Sequence, residues 1–325
     1  MNSERLILLL SWLLAFTLGT QEGANLTAPL VFSRSYPLRR SLFLTSLGVT
    51  LGPFVLGGEV SRLFSQGLVK EGFFSSQIIM VILFSVLLWK SLGWYAGLPI
   101  SFSHSLLGGF IGGALASEGL KVLDFGGVMK VILFLLFTPL LGIIGGILLL
   151  KFFHYWGRNL PFRFHNPLKK GSNLGLFFLS LGQGANDGQK LLGVIILYFS
   201  TSSQTPTIPF WFSLLVISGM PIGLWLGGKN ILHTLGRRLY RLKDYHCFIS
   251  YSLSSLVVIV STLMGGPVSI TQVNTSTLMG AGIGEHPKRV RWTTIKLILA
   301  SWVITLPGVA LLTYVLTKIL LRSGM

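Results

Sequence analysis

The chain has 325 residues, of which 51% are hydrophobic and only 11% are charged. A soluble domain carries about 25% charged residues, so this composition excludes an ordinary soluble fold and predicts an all-α integral membrane protein. The formal net charge of +17 does not indicate a nucleic-acid partner, because the basic residues lie in short loops between apolar segments, beside the headgroups of a lipid bilayer.

Apolar segments follow one another along the whole chain. In the first half we predict five, at residues 6–32, 41–61, 74–96, 99–117 and 128–152. In the second half we predict five more, at residues 173–199, 207–228, 246–264, 266–284 and 293–321. Most of them are long enough to cross roughly 30 Å of hydrocarbon. The polar, proline-containing stretch 157–172 is the expected linker between domains at 1–156 and 173–325.

Three short motifs occur twice, in the same order. "EGANL" at 22–26 matches "QGAND" at 183–187, "LGGEV" at 56–60 matches "LGGKN" at 226–230, and the stretch 97–109 matches 265–280. The offsets of 161, 170 and 168 residues indicate an internal duplication. The first segment could pass for a signal peptide, but because it leads into a repeated motif we assign it to the fold.

The predicted halves are inverted if each crosses the membrane an odd number of times. In both, the fourth segment opens with proline and is rich in Gly and Ser or Thr, which favours a broken or re-entrant helix. Inverted repeats with interrupted helices are typical of secondary transporters, whose binding site lies near the midplane.

Positive charge predicts the orientation, because Arg and Lys concentrate on the cytoplasmic side. The loops expected outside carry mainly Arg62, Lys70 and Lys121. This distribution places both termini outside and the linker in the cytoplasm, which suits the plasma (bacterial inner) membrane. The basic residues expected inside are Arg34, Arg39, Arg40, Arg158, Arg163, Lys169, Lys170, Arg237, Arg238, Arg241, Lys243, Lys288, Arg289 and Arg291.

Three acidic residues, Glu22, Glu59 and Asp187, fall inside apolar segments. A charge at the bilayer centre costs at least ~2.5–3.5 kcal/mol, so each needs an ion-pair partner or a function. Glu59 and its repeat mate Lys229 follow a Gly-Gly pair near a segment end. There, a side chain that reaches the membrane surface explains the charge as well as a functional role does.

The Gly-Ala-Asn motifs predict a cation site. Glycine loosens the helix beside Asn25 and Asn186, and a broken turn frees backbone carbonyls. Together with the Asp187 carboxylate, these oxygens would suit a small, hard cation; alternatively, the asparagines hold helices together by hydrogen bonds. Gln189 belongs to the predicted substrate site, and Lys190 is a further candidate. The lone Cys247 excludes a cysteine-based metal site, so the only metal expected is a transported sodium ion.

Hydroxyl side chains follow Pro99 and Pro267, and proline suits the first turn of a helix. Hydroxyls together with the free amides of a helix start can bind an anion, whereas plain capping by serine is the simpler alternative. His104 and Gln272 occupy matching places and are further candidates. The four hydroxyl residues predicted to bind the anion are Ser101, Ser103, Ser269 and Thr271.

The stretch "GQGANDGQK" at 182–190 resembles the signature of the inorganic phosphate transporter (PiT) family, and "PISFSH" and "PVSITQV" resemble that family's second motif. The resemblance implies inverted repeats, a phosphate site at the midplane and cation sites in the Gly-Ala-Asn-Asp segments. It implies a secondary transporter that moves phosphate with sodium or protons, with no cofactor and no catalytic residue. A homodimer is left open.

The chain departs from the family pattern at Leu26, where the family has Asp. Glu22 lies four residues earlier, one helical turn away. We therefore predict a proton site at Glu22; the alternative is that Glu22 faces an outer vestibule and only attracts cations. The family's sulphate-permease branch departs in the same motif, so sulphate is the main alternative substrate. An anion channel and a membrane-embedded enzyme acting on phospholipids are more remote alternatives.

Overall fold

The computed structural model describes residues 3–33, 36–70, 72–98, 100–157, 165–202, 208–236, 243–289 and 291–323. In these ranges the chain is helical, and one isolated antiparallel bridge joins Val69 to Leu123. The helices are α1 (Ser3–Phe32), α2 (Leu38–Val55), α3 (Glu59–Arg62), α4 (Ser76–Ala96), α5 (Phe102–Ala116), α6 (Phe125–Gly157), α7 (His165–Gln183), α8 (Gln189–Ser202), α9 (Phe210–Gly236), α10 (Asp244–Leu263), α11 (Ile270–Glu285) and α12 (Trp292–Arg322). Two π-helical turns, Leu63–Gly67 and Gly184–Gly188, follow α3 and α7.

Six helices in the described ranges are long and apolar enough to cross a membrane: α1, α4, α6, α9, α10 and α12. The pair of α2 with α3 and its π turn makes a seventh if it is one span, although it bends by 66° at the break. Each predicted segment contains a helix, whereas ten crossings and inverted halves stay predictions.

Some local features differ from the sequence expectation. In the described part of the fourth segments a break within the helix is not seen, because α5 and α11 are single helices of 15 and 16 residues. They begin after the prolines: Ser269 is the N-cap of α11, and Pro267 lies in the non-helical stretch before it. The predicted linker is partly helical, since α7 begins at His165.

Other expectations fall outside the described residues. These are the positions of Pro99 and of several loop residues expected in the cytoplasm, namely Arg34, Arg158, Arg163, Arg237, Arg238 and Arg241, and the side chain of Lys229.

Glycine faces bring the helices into close contact, as small residues do in membranes. Gly52 of α2 and Gly184 of the second π turn lie where α2 meets the end of α7. A Cβ on Gly184 would lie 2.3 Å from the backbone oxygen of Val49, and one on Gly52 would lie 2.1 Å from that of Leu181. The polar 181–190 stretch is therefore pressed directly against the backbone of α2.

We expect Gly184→Ala to destabilise the protein by about 1–3 kcal/mol, because the added methyl group must push backbone away from backbone. Thermal unfolding in detergent measures the loss. Gly58→Ala is the control, since a Cβ there has no heavy atom within 4 Å, and its effect should stay within about 0.5 kcal/mol. Equal shifts for both variants would contradict this account of the contact.

A polar cluster ties the start of α10 to the end of α11. Glu285 accepts hydrogen bonds from Lys243 Nζ at 2.7 Å and from the Tyr245 hydroxyl at 2.8 Å, and it also pairs with His246. Burial acts to raise the pKa of Glu285, but the hydrogen bonds from Lys243 and Tyr245 outweigh burial and lower that pKa to about 2. The same contact with Glu285 raises the pKa of Lys243.

We expect Glu285→Gln to lower the free energy of unfolding at pH 7 by about 0.5–1 kcal/mol, and the melting temperature with it. The effect is small because Lys243 is half exposed. A carboxylate whose folded pKa is depressed stabilises the protein above its unfolded pKa, and this contribution is lost as the pH falls through the folded value. The melting curves of wild type and variant should therefore converge between pH 5 and pH 2. A difference that does not change with pH would show that Glu285 acts through shape alone.

Candidate functional site

Two fully buried ion pairs lie where α1, α4, the second π turn and the start of α8 meet. Asp187 Oδ1 lies 2.8 Å from Lys190 Nζ, and Glu22 Oε1 lies 3.8 Å from Lys90 Nζ. All four side chains are at most 5% exposed. Buried charges are tolerated when they are paired and hydrogen-bonded, so each pair depends on both of its members.

Asp187 lies in the second π turn. Glycines bound the turn, Gly184 at its start and Gly188 at its end. A π-helical turn adds one residue to the helical repeat and is frequent at functional sites. Residues 179–195 are all buried, so helices cover this segment on every side and the polar run from Asn186 to Lys190 lies wholly inside the protein.

Lys190 joins the two halves of the chain. Its Nζ donates to Asp187 Oδ1 at 2.8 Å, to Ser103 Oγ at 2.6 Å and to the backbone oxygen of Val268 at 2.6 Å. These three bonds use all the donors of an ammonium group. Ser103 Oγ itself donates to the Val268 oxygen at 2.8 Å, so the start of α5 and the stretch before α11 meet at this lysine.

The Glu22 pair is built in a corresponding way. Thr271 Oγ1 donates to Glu22 Oε2, and Lys90 Nζ donates to the backbone oxygen of Ile100 at 3.1 Å. Thr271 lies 168 residues after Ser103, and Val268 lies 168 residues after Ile100. Each ion pair therefore contacts a hydroxyl from the opposite half and one of two matching carbonyls.

The two matching asparagines have different surroundings. Asn186 Nδ2 donates to Thr262 Oγ1 at 2.8 Å and to the Gly266 oxygen at 3.1 Å, while its Oδ1 accepts from the Val268 amide at 3.0 Å. These are the helix-joining bonds of the alternative interpretation, and they hold the stretch before α11. Asn25 is buried, and its Nδ2 has no hydrogen-bond partner in the part of the chain that is described.

The four predicted anion-binding hydroxyls fall into two groups. Ser103 and Thr271 face the ion pairs, as described above. Ser101 and Ser269 are N-caps, which accept from the amides of His104 at 3.3 Å and Gln272 at 3.4 Å. Ser101 Oγ is also 2.8 Å from His104 Nδ1. Capping, the simpler alternative, therefore describes this second pair of hydroxyls.

Glu59 and Gln189 lie toward the bend between α2 and α3. The Glu59 side chain is 49% exposed and pairs with Arg62 at 3.3 Å, as the surface interpretation expects. Gln189 Nε2 donates to the Gly57 oxygen at 2.7 Å and so ties the polar run to this bend.

Several glutamines that lie close in sequence to the residues of the ion pairs have buried amide oxygens. Within the described ranges, four glutamine Oε1 atoms are buried and have no hydrogen-bond partner. An unsatisfied buried acceptor costs about 1–3 kcal/mol, and an amide oxygen can instead accept from water or coordinate a cation. The four residues are Gln21, Gln183, Gln189 and Gln272.

Comparison with known proteins assigns the chain to a family. The model of the phosphate transporter family matches residues 18–175 and 166–313, which together span most of the chain. The chain belongs to the phosphate transporter family. This confirms the resemblance noted in the motifs, and it makes the protein an integral membrane transporter of an inorganic anion, not an enzyme.

Curated relatives of this family member cover nearly the same span. It is 28% identical to a probable low-affinity inorganic phosphate transporter of Rhizobium meliloti, over 92% of this chain and 90% of the relative. It is 26% identical to a protein of that name in Bacillus subtilis, over 90% of this chain and 89% of the relative. A solved structure of a sodium-dependent phosphate transporter has the same fold, with a TM-score of 0.89 over the full length of both chains at 19% identity.

The sequence analysis did not identify Lys90 as a site residue of this protein. The residue lies in α4 among apolar neighbours and has no lysine at the matching place in the second half, so no repeated motif marks it. Its signal was available, however, because it is the only charged residue in the predicted segment 74–96. A charge inside a membrane segment is a functional candidate on its own.

Proposed function

We propose that this protein imports inorganic phosphate by cation symport through alternating access, in the plasma membrane, which is the inner membrane of a bacterium. The observation that carries the proposal is the pair of buried lysine–carboxylate contacts, each linked to a hydroxyl from the opposite half. All four charged side chains are buried, and ionisable residues inside a membrane segment are functional candidates.

The donors suit an oxyanion. Lysine ammonium groups and hydroxyls donate charge-assisted hydrogen bonds to phosphate oxygens, and Lys90, Lys190, Ser103 and Thr271 lie together. Hydrogen phosphate also carries a proton that it can donate, whereas sulphate carries none at neutral pH. The Asp187 carboxylate beside these donors is an acceptor for that proton, and this favours phosphate over sulphate.

The matched geometry favours alternating access between inverted repeats of five segments each. Ser103 with Thr271, and Ile100 with Val268, come to corresponding positions from opposite halves, as a pseudo-twofold axis through the site would require. Rocking one half against the other then exposes the same site on either side. In a channel, by contrast, the centre would have to be an open path, and here the four charged side chains are buried.

Glu22 is the proposed proton site. Leu26, in the place of the family's Asp, is fully buried in an apolar cluster with Leu30, Leu176 and Tyr251, so it offers no ligand. The Glu22 carboxylate, one turn earlier, reaches Thr271 just as the Asp187 pair reaches Ser103. Because Glu22 is only 4% exposed, its position favours proton exchange over a vestibule that merely attracts cations.

We expect Ser103→Ala combined with Thr271→Val to lower phosphate affinity strongly. Each lost hydrogen bond to a charged partner costs about 1.5–3 kcal/mol, so the double variant should lose roughly a hundredfold or more. Phosphate binding in detergent and the KM for uptake measure the effect.

Ser105→Ala combined with Thr305→Val is the matched control for that variant. Both control hydroxyls are buried, and they donate to backbone oxygens of their own helices, Ser101 and Ser301 respectively. The control should keep wild-type affinity. Wild-type affinity in the Ser103, Thr271 variant as well would remove these hydroxyls from the substrate site.

A further inference from the structure

The Lys190 ammonium lies in a cage of oxygens that would otherwise suit a metal cation. A carboxylate, a hydroxyl and a backbone carbonyl surround Nζ at 2.6–2.8 Å. These are hard oxygen donors, the kind that bind alkali and alkaline-earth ions. The lysine side chain is fully buried, and because the ammonium is covalently attached to the chain it cannot leave the cage as a free ion could.

Lys90 repeats the arrangement in the other half. Its Nζ donates to the Ile100 oxygen, the counterpart of Val268, and faces Glu22. Yet the two lysines do not correspond in the duplication, because Lys90 comes from α4 and Lys190 from the start of α8. Lys90 and Lys190 thus place a positive charge beside the matching oxygens of Ile100 and Val268, although the two lysines come from unrelated positions in the two halves. This indicates that the oxygen atoms at each place require a cation beside them.

We propose that the Lys190 ammonium is a tethered cation that takes the place of a coupling sodium ion in the second half, so that phosphate uptake by this protein is independent of sodium. A sodium ion entering the cage would have to displace the ammonium from all three oxygens or share them with a like charge in a medium of low dielectric constant. The inference rests on the proposed function, and it specifies which cation that function uses.

The coupling ion is then the proton at Glu22, and Asp187 exchanges a proton with the substrate itself. When Asp187 Oδ1 accepts a proton from hydrogen phosphate, the ion pair opens, and the Lys190 ammonium keeps its charge and donates to a phosphate oxygen instead. When Asp187 returns the proton to the phosphate on the inner side, the carboxylate recaptures the ammonium and the phosphate leaves. No P–O bond is made or broken in this cycle.

The test compares wild type, Lys190→Ala, Lys190→Gln and the control Lys121→Ala in proteoliposomes. Lys121 is 68% exposed and pairs only with Glu118 among the contacts described. Uptake of radiolabelled phosphate is driven by an inward proton gradient, with either sodium chloride or choline chloride outside. In parallel, the melting temperature of each protein in detergent is followed against sodium concentration, because an ion that binds only the folded state raises it.

We expect wild type and Lys121→Ala to take up phosphate equally in both salts and to show no stabilisation specific to sodium. Lys190→Ala, whose emptied cage keeps Asp187, Ser103 and the Val268 oxygen, should lose uptake in choline and regain at least about tenfold in sodium, together with a sodium-dependent melting temperature. Lys190→Gln, which refills the cage with an uncharged amide, should be inactive in both salts.

Wild-type uptake that requires sodium would overturn the inference, and so would a folded Lys190→Ala that responds to sodium in neither measurement. If neither Lys190 variant folds, the two salts applied to wild type decide the question. Wild type that takes up no phosphate under a proton or a sodium gradient would instead overturn the proposed function, and the inference with it.

Discussion

Asp187→Asn is expected to abolish phosphate accumulation driven by a cation gradient. Asn keeps the shape of Asp but can neither carry the charge nor exchange the proton, so coupling fails even where phosphate still binds. It also leaves the Lys190 ammonium buried without its counter-charge, and removing one member of a buried pair costs about 3–5 kcal/mol. We expect the loss of coupling to lower net uptake by at least roughly a hundredfold, which corresponds to about 2.7 kcal/mol in the transport barrier.

The measurement separates coupling from binding. Net accumulation under an imposed gradient is compared with exchange of labelled for unlabelled phosphate at equal concentrations, and exchange should be affected less. Asp124→Asn is the control: Asp124 is exposed, and its carboxylate caps α6 by accepting from the Gly127 amide at 2.9 Å. If Asp187→Asn accumulates phosphate with the ion dependence of wild type, Asp187 is a structural residue and the account of the site is wrong.

Glu22→Gln is expected to remove the proton dependence of uptake. The variant keeps a hydrogen-bond acceptor for Thr271 but cannot take up a proton, and it removes the carboxylate with which Lys90 forms its ion pair. Uptake measured from pH 5 to pH 8 should rise with proton concentration in wild type and lose this response in the variant. Glu118→Gln, an exposed glutamate paired with Lys121 at 3.2 Å, is the control and should retain the wild-type profile.

A second variant tests whether Glu22 stands in for the missing aspartate. Adding Leu26→Asp to Glu22→Gln returns the carboxylate to the family position, and we expect uptake by the double variant to shift toward sodium dependence. Since Leu26 is fully buried among apolar side chains, a carboxylate there needs a bound cation to be tolerated. Identical pH profiles for wild type and Glu22→Gln would rule out the proton site.

Composition and hydropathy were sufficient to locate the helices, because lipid requires each crossing segment to satisfy its own backbone. The same patterns were poor guides to breaks. The proline before α11 lies in a non-helical stretch and not in the first turn of the helix, and the predicted linker contains the start of α7 at His165. A proline restricts its own backbone and that of the residue before it, but it does not fix how many residues later a helix begins.

Some residues of the site could be predicted from the sequence and others could not. Buried charge is costly enough that Glu22 and Asp187 could be singled out from sequence alone. Which hydroxyls meet these charges could not be predicted, since Ser101 and Ser103 are two residues apart and only the start of α5 decides which one caps the helix. Lys90 was missed because no repeated motif marks it, although it is the only charged residue in the predicted segment 74–96. Its partners, Glu22 and the Ile100 oxygen, come from segments that only the fold brings together.

Accumulation in proteoliposomes tests the central claim most directly. Purified protein is reconstituted, proton and sodium gradients are imposed separately, and uptake of radiolabelled phosphate is followed beside uptake of radiolabelled sulphate, with protein-free liposomes as the blank. We expect phosphate to accumulate above its external concentration under a cation gradient, and we expect sulphate neither to accumulate nor to compete. Accumulation of sulphate, or movement of phosphate only down its own gradient whatever the cation gradient, would contradict the claim.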